Sequence, residues 1–111
     1  MLQKTHSLTK KKDFGMVFKK GGMVKNDFLI LRTLESGLKE SRFGFVVSKK
    51  VSTKATLRNK IKRRLRQAVF NNLKKIKKSI DVVVVALPGI EKKSFLEIRE
   101  IINKFFGEYY K

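Results

Sequence analysis

The sequence predicts an α+β fold, a two-layer α/β sandwich in which helices pack against a mixed sheet. Three observations favour this class. An amphipathic pattern with a helical period runs through residues 61–76, a nearly unbroken valine run follows at residues 81–87, and Ser94 with Glu97 forms a capping-box pattern that opens a last helix. Strand-like segments also precede the amphipathic stretch, so the expected element order is α-β-β(-β)-α-β-α.

The first element is a short helix predicted from about Lys10 to Lys20. Thr9 is its expected N-cap, and Gly21-Gly22 ends it. Lysines cover most of its surface. Its apolar face consists of three residues at i, i+3 and i+4, namely Phe14, Val17 and Phe18.

Two strand segments follow this helix. Residues 23–34 are predicted to be a strand with a break near Asn26-Asp27, and one of its faces carries Phe28, Ile30, Arg32 and Leu34. Arg42 to Ser48 is predicted as the next strand, with Phe43, Phe45 and Val47 on one face. Gly44 in its middle leaves space where a ligand or another element could come close.

The second half holds a long helix, a buried strand and a last helix. The long helix is expected to start at Thr53 or Thr56 and to run to about Lys75, with its apolar stripe at Ile61, Leu65, Ala68, Val69, Leu73 and Ile76. The valine run predicts a strand buried on both faces, as parallel strands are. Gly107 is the expected C-cap of the last helix, whose stripe is Ile98, Ile101, Ile102 and Phe105.

Composition predicts a single nucleic-acid-binding domain over residues 1–111, with residues 1–8 flexible. The 28 Lys and Arg residues exceed the 9 Asp and Glu residues, and the formal charge is +19, which favours nucleic acid over an anionic membrane surface. The chain has no Cys and no signal-like apolar stretch, and its longest apolar run, residues 82–87, is far too short to cross a membrane. We therefore expect a cytoplasmic protein without a membrane partner.

Positive charge is densest in residues 41–80, which hold 14 of the 28 Lys and Arg residues and no Asp or Glu. The start of the long helix supplies Arg forks, Lys charges and one amide, Asn59, for contacts with phosphate, sugar or base edges. The alternative interpretation of this charge is a solvated helix face that binds no partner. At two positions a local role also stays open: Asn59 could hydrogen-bond at the helix start, and Arg58 could make an intramolecular contact.

No catalytic constellation accompanies this charge. The single His, His6, lies in the N-terminal stretch, and the acidic residues are scattered without metal-ligand spacing. Phosphodiester cleavage would then depend on metal ions that a partner carries. Phe14 and Phe18, beside several lysines, have two interpretations: they either pack in the core or form a stacking platform for single-stranded nucleic acid.

These residues resemble the protein subunit of bacterial ribonuclease P along nearly the whole chain. The most specific part is S-K-K followed by K-A-T-x-R-N-K-x-K-R-x-x-R, at residues 48–50 and 54–66. The supporting parts are Lys12-Asp13-Phe14 with Val17-Phe18, the strand at residues 42–47, and the strand at residues 81–86 before the last helix.

The resemblance implies the fold of a ribosomal-protein domain, with a left-handed β-α-β crossover. It also implies the protein subunit of a ribonucleoprotein endoribonuclease, with no catalytic residue of its own, in which the RNA and its Mg²⁺ ions remove the 5′ leader of precursor tRNA. A monomer would bind the catalytic RNA in a 1:1 complex. The implied RNA-subunit contacts are Lys54, Arg58, Asn59, Lys60, Lys62, Arg63 and Arg66. A cleft between the first helix and the sheet would bind the leader through Phe14, Phe18, Lys49, Lys50 and Arg32.

Three positions depart from the family pattern. Ser52-Thr53 stands where many members have Gly in the connector, Leu31-Arg32 stands where many have Tyr, and Lys60 is the third residue of an R-N-R motif. Arg32 could thus replace a base stack with a phosphate contact. Two other classes remain open as alternatives, a ribosomal or ribosome-assembly RNA-binding protein and a basic DNA-binding protein.

Overall fold

The computed structural model describes residues 6–38, 40–73 and 79–109. Their order of elements confirms the predicted α+β class. The elements are α1 (Lys11–Lys20), β1 (Gly22–Lys25), β2 (Leu29–Glu35), β3 (Arg42–Val46), α2 (Ala55–Phe70), β4 (Ile80–Ala86), a 3₁₀ turn (Ile90–Lys92) and α3 (Phe95–Tyr109).

The four strands form one mixed sheet in the order β1-β2-β4-β3. The pairs β1–β2 and β2–β4 are antiparallel, whereas β3 and β4 are parallel neighbours joined through α2. The valine-rich β4 is therefore an inner strand, and all of its side chains except the partly buried Val85 are buried, on both faces, as predicted. The left-handedness of the β3-α2-β4 crossover stays a prediction.

One face of the sheet is closed by α2 and α3. Residues that alternate along the strands, such as Leu31, Phe43 and Val84, point to this side and join the larger core cluster. The α2 stripe meets them as predicted, with Ile61, Leu65, Ala68 and Val69 buried and Leu73 partly buried. From α3 the cluster takes Ile98, Ile102, Phe105 and Phe106, with Ile101 partly buried.

The opposite face is covered only in part, by α1. Val17 is fully buried against Val83 and Leu8 in a second, smaller cluster. Next to it, a row of paired residues crosses three strands, Ile30 on β2, Val85 on β4 and Val46 on β3. All three are only half-buried. We call this row the uncovered strip.

Several predicted helix ends were wrong. The N-cap of α1 is Lys10 rather than Thr9, and that of α2 is Lys54 rather than Thr53 or Thr56; neither makes a side-chain capping bond. The helix α2 ends at Phe70 instead of about Lys75, while residues 74–78, including Ile76, lie outside the described part of the chain. Gly107 lies inside α3 and does not end it.

The turn between β1 and β2 also corrects a prediction. Asn26 accepts hydrogen bonds from the backbone N–H groups of Phe28 (2.8 Å) and Leu29 (2.7 Å) through its side-chain oxygen. This turn breaks the predicted strand near Asn26-Asp27, as expected. It also removes Phe28 from the face of Ile30, so that the Phe28 ring packs against the core on the α2–α3 side instead.

Residues 6–8 pack against the sheet, which differs from the flexibility expected for them, whereas residues 1–5 lie outside the described residues and the expectation there stays a prediction. Leu8 is buried and donates its backbone N–H to the carbonyl of Phe43 (2.8 Å), and His6 Nδ1 donates to the carbonyl of Ser41 (2.8 Å).

Candidate nucleic-acid interface

The outer surface of α2 is a continuous cationic face. Because the apolar stripe of the helix is buried, its Arg and Lys residues are turned toward solvent. Of the residues predicted to contact the RNA subunit, four are exposed, namely Lys54, Asn59, Lys60 and Arg63. The other three, Arg58, Lys62 and Arg66, are partly exposed. The helix therefore presents all seven predicted residues on or near its accessible side.

Two of these arginines also make contacts within the protein. Arg58 Nη1 donates to the carbonyl of Ser52 (3.0 Å), which braces the connector against the first turn of α2. The guanidinium of Arg66 lies 5.7 Å from the centre of the Phe45 ring. The intramolecular role left open for Arg58 is thus present, and it holds the guanidinium at the helix start.

The connector between β3 and α2 places two lysines at a turn. Val51 is buried in the core, and its backbone N–H donates to the carbonyl of Ser48 (3.0 Å). This turn holds Lys49 and Lys50 at its exposed tip. Among the described residues no non-glycine residue has a positive φ, so the Ser52-Thr53 substitution for glycine does not force a left-handed backbone here.

On the other side of the sheet, the two aromatic residues of α1 differ. Phe14 is half-buried, and its ring lies directly over Gly44, where a Cβ atom would collide with it. The space predicted at Gly44 is therefore filled by another element, the helix α1, and not by a ligand. Phe18 has 41% of its surface exposed and stays accessible beside the uncovered strip.

Arg32 is arranged around Phe18. Its guanidinium lies 5.3 Å from the centre of the Phe18 ring, and Nη1 donates to the Phe18 carbonyl (3.1 Å). Leu31, by contrast, is buried on the α2–α3 side and contributes nothing to this surface. The position that departs from the family pattern thus supplies a cation that is stacked on an exposed ring.

An ion-pair clamp fixes α1 over the sheet, and sequence reasoning missed it. Arg42 on β3 donates to Asp81 on β4 from Nε (2.9 Å) and Nη2 (2.7 Å), and from Nη1 to Asp13 on α1 (3.1 Å). The hydrogen bond with Asp81 raises the pKa of the Arg42 guanidinium, so it stays charged throughout the accessible pH range. The sequence signal that could have indicated this clamp was Asp13, an isolated carboxylate after the lysines that begin α1.

Three further residues at the junction of α2 and α3 were also missed. Arg64, Gln67 and Phe95 line a shallow cavity together with Lys60 and Arg63. Arg64 lies in the basic run, but no spacing in the sequence relates it to Phe95, which follows the capping residue of α3. Only the packing of α2 against α3 brings them together.

The described residues do not form a metal centre. They contain no group of three or more His, Asp or Glu side chains placed to hold an ion. Asp13 and Asp81 are both engaged by Arg42. None of the helices in the described part of the chain is both long and apolar enough to traverse a bilayer.

Comparison with known proteins identifies the family. The family model described as Ribonuclease P matches residues 2–110. The ribonuclease P protein component of Alkaliphilus metalliredigens is 35% identical over 101 residues, which covers 91% of this chain and 90% of the relative. That of Syntrophomonas wolfei is 39% identical over 95 residues, which covers 86% and 79%.

Solved structures agree with the sequence match. The ribonuclease P protein of Thermotoga maritima superimposes with a TM-score of 0.83 at 29% identity, covering 95% of this chain and 98% of that one. The Staphylococcus aureus protein gives 0.84, also at 29% identity, covering 96% and 98%. From its sequence and its fold together, this chain belongs to the family of ribonuclease P protein components, which act in tRNA processing.

Proposed function

We propose that this protein binds the catalytic RNA of ribonuclease P through the outer face of α2 and the 5′ leader of precursor tRNA beside α1. The observation that carries the proposal is the placement of two different surfaces on opposite faces of one sheet. The face of α2 offers charge, whereas the α1 side offers an exposed ring beside an uncovered apolar strip. Lys49 and Lys50 lie on the connector between β3 and α2.

The α2 surface suits a folded RNA. Arg and Lys contacts to phosphate provide affinity without reading sequence, and each neutralised phosphate adds to the salt dependence of binding. Asn59 is exposed between two such cations and can reach sugar or base edges. We assign this role to Lys54, Arg58, Asn59, Lys60, Lys62, Arg63 and Arg66.

The α1 side suits a single strand. Phe18 offers an exposed ring for stacking, which contributes roughly 1–3 kcal/mol per base, and Arg32 adds a positive charge next to it. Phe14 supports this site from below because it is packed over Gly44. Lys49 and Lys50 supply phosphate contacts at the end of the strip.

The chemistry in this proposal belongs to the RNA. We assign to the RNA partner the Mg²⁺ ions that cleavage needs. The protein contributes substrate binding and stabilises the active RNA. We propose that it acts as a monomer in a 1:1 complex with the RNA, in the cytoplasm.

The test is cleavage of precursor tRNA by a transcribed bacterial ribonuclease P RNA at low Mg²⁺, with and without the protein. We expect stimulation that is larger for a substrate with a 5′ leader than for one with a single leader nucleotide. Phe18→Ala should reduce this leader-dependent part and leave affinity for the RNA subunit unchanged, and Met16→Ala, another exposed α1 residue, serves as its control. Tight RNA binding without stimulation would favour a ribosome-associated protein instead.

A further inference from the structure

A cavity of about 310 Å³ lies where α2 meets the first turn of α3. This volume is at the lower end of the roughly 300–1,000 Å³ typical of small-ligand sites. Its lining residues are Lys60, Arg63, Arg64, Gln67 and Phe95. The combination is specific: three cations, one amide, one aromatic ring and no carboxylate.

The polar groups of this cavity are held in place by contacts within the protein. One of the five N–H groups of Arg64 donates to the carbonyl of Lys93 (3.4 Å), which ties the guanidinium to the segment before α3. Gln67 Nε2 donates to Asn71 Oδ1 (3.2 Å), which orients its amide. Groups that are held in this way lose less conformational entropy when a ligand binds.

We propose that this cavity takes one unstacked nucleotide of the RNA partner, with its base on Phe95 and its phosphate on Arg63 and Arg64. The proposal rests on the proposed function and adds to it a site for an unpaired base. A paired RNA helix needs only phosphate contacts, whereas an unpaired base can be stacked on an aromatic ring and bonded at its edge. Phe95 supplies the ring, Gln67 the amide, and the cations match an anionic ligand.

A larger cavity, of about 370 Å³, shows why charge matters in this assignment. It lies between the β1–β2 turn and α3. Its lining contains apolar residues together with charges of both signs, namely Lys25, Lys104 and Asp27. Phosphate is not favoured there because the charges are mixed. In the α2–α3 cavity all the charged lining residues are cations, so this cavity matches the phosphate of a nucleotide better.

The test uses a tryptophan reporter, because the chain contains no Trp. Phe95→Trp places an indole in the cavity, and Leu96→Trp places one on the neighbouring residue, which is 51% exposed and does not line the cavity. Titration with transcribed ribonuclease P RNA should quench the fluorescence of the Phe95→Trp variant strongly and that of the Leu96→Trp variant weakly. A fully paired RNA duplex should quench neither.

A second variant measures the energetic effect. Phe95→Leu should lower affinity for ribonuclease P RNA about 5- to 150-fold and leave the salt dependence unchanged, since it removes a stack and no phosphate contact. Equal quenching of both tryptophans, quenching by the duplex, or an unquenched Phe95→Trp variant that still binds the RNA would overturn the site and leave the proposed function standing. If the unmodified protein does not bind the RNA, both the proposed function and the proposed nucleotide site are wrong.

Discussion

The helices α1 and α2 are both lysine- or arginine-rich and both amphipathic, yet they leave different surfaces. On α2, Ile61 and Leu65 are completely covered, and the exposed side carries mainly cations and amides, with one exposed ring, that of Phe70, at the C-terminal end of the helix. On α1, Val17 is covered but Phe18 keeps 41% of its surface exposed. The same sequence pattern therefore gives a mainly cationic surface along α2 as far as Arg66, and a mixed aromatic and cationic one on α1.

The difference arises from how α1 lies on the sheet. Phe14, Val17 and Phe18 contact Gly44 on β3, Val83 on β4 and Arg32 on β2, which form one row of paired residues, so the helix crosses these three strands. The next row on the same face is the uncovered strip, which lies beyond the helix and stays half-buried. On the other face, α2 and α3 together bury the strand residues that point toward them.

The largest effect is expected from breaking the clamp that holds α1 in place. Arg42→Ala leaves Asp81, which is 5% exposed, without its cation, and removing one partner of a buried ion pair costs about 3–5 kcal/mol. We expect the free energy of unfolding, measured with urea, to fall by that order. Asp13→Asn, which removes only the half-buried end of the clamp, should cost clearly less. Equal losses for both variants would contradict the dominant role of Asp81.

A smaller effect is expected from pushing α1 off the sheet. In Gly44→Ala the new methyl group meets the Phe14 ring, and such overpacking costs about 1–3 kcal/mol. Leader binding beside α1 should weaken, while binding of the RNA subunit by α2 stays the same. Gly15→Ala is the matched control, because nothing lies within 4 Å of its new Cβ and alanine favours helix. Loss of both activities in Gly44→Ala would mean that the two surfaces are not independent.

The sequence predicted the elements well because their patterns are local. The period of Ile61, Leu65 and Val69 fixes one face of a helix, and the capping box of Ser94 and Glu97 forms as predicted, with bonds of 3.1 and 3.2 Å. The alternation of Ile30, Arg32 and Leu34 likewise placed these three on one face of β2. The helix caps failed because backbone geometry, and not a nearby hydroxyl, set where α1 and α2 begin.

What the sequence did not supply are contacts between distant segments. Arg42, Asp13 and Asp81 come from three different elements, and no spacing in the chain relates them. The same holds for Arg64 and Phe95, which only the packing of α2 on α3 brings together. The predicted site residues, by contrast, came from the motif at residues 48–66 and from α1, where sequence neighbours are also neighbours in space; the exception is Arg32 on β2.

The charged surface can be separated from the rest by its salt dependence. Lys60→Gln removes a cation from the outer face of α2, so the slope of log affinity for ribonuclease P RNA against log salt should fall by about 0.7–0.9 in magnitude. Lys104→Gln removes another exposed cation, on α3, and should leave the slope unchanged. Equal slope changes in the two variants would indicate that total charge, and not the face of α2, governs RNA binding.

The smallest effect concerns the cap of α3, next to the α2–α3 cavity. Hydrogen bonds with Ser94 lower the pKa of Glu97 below its ordinary value of 4.5, so its charged form stabilises the folded state above that pH. This contribution is lost as the pH falls through the lowered pKa. In Glu97→Gln the amide keeps the capping bond but cannot titrate. The melting temperature of the variant should therefore lie slightly below that of the unmodified protein at about pH 7, and the gap should be smaller at about pH 3. A gap that is the same at both pH values would show that the charge of Glu97 does not contribute to the cap.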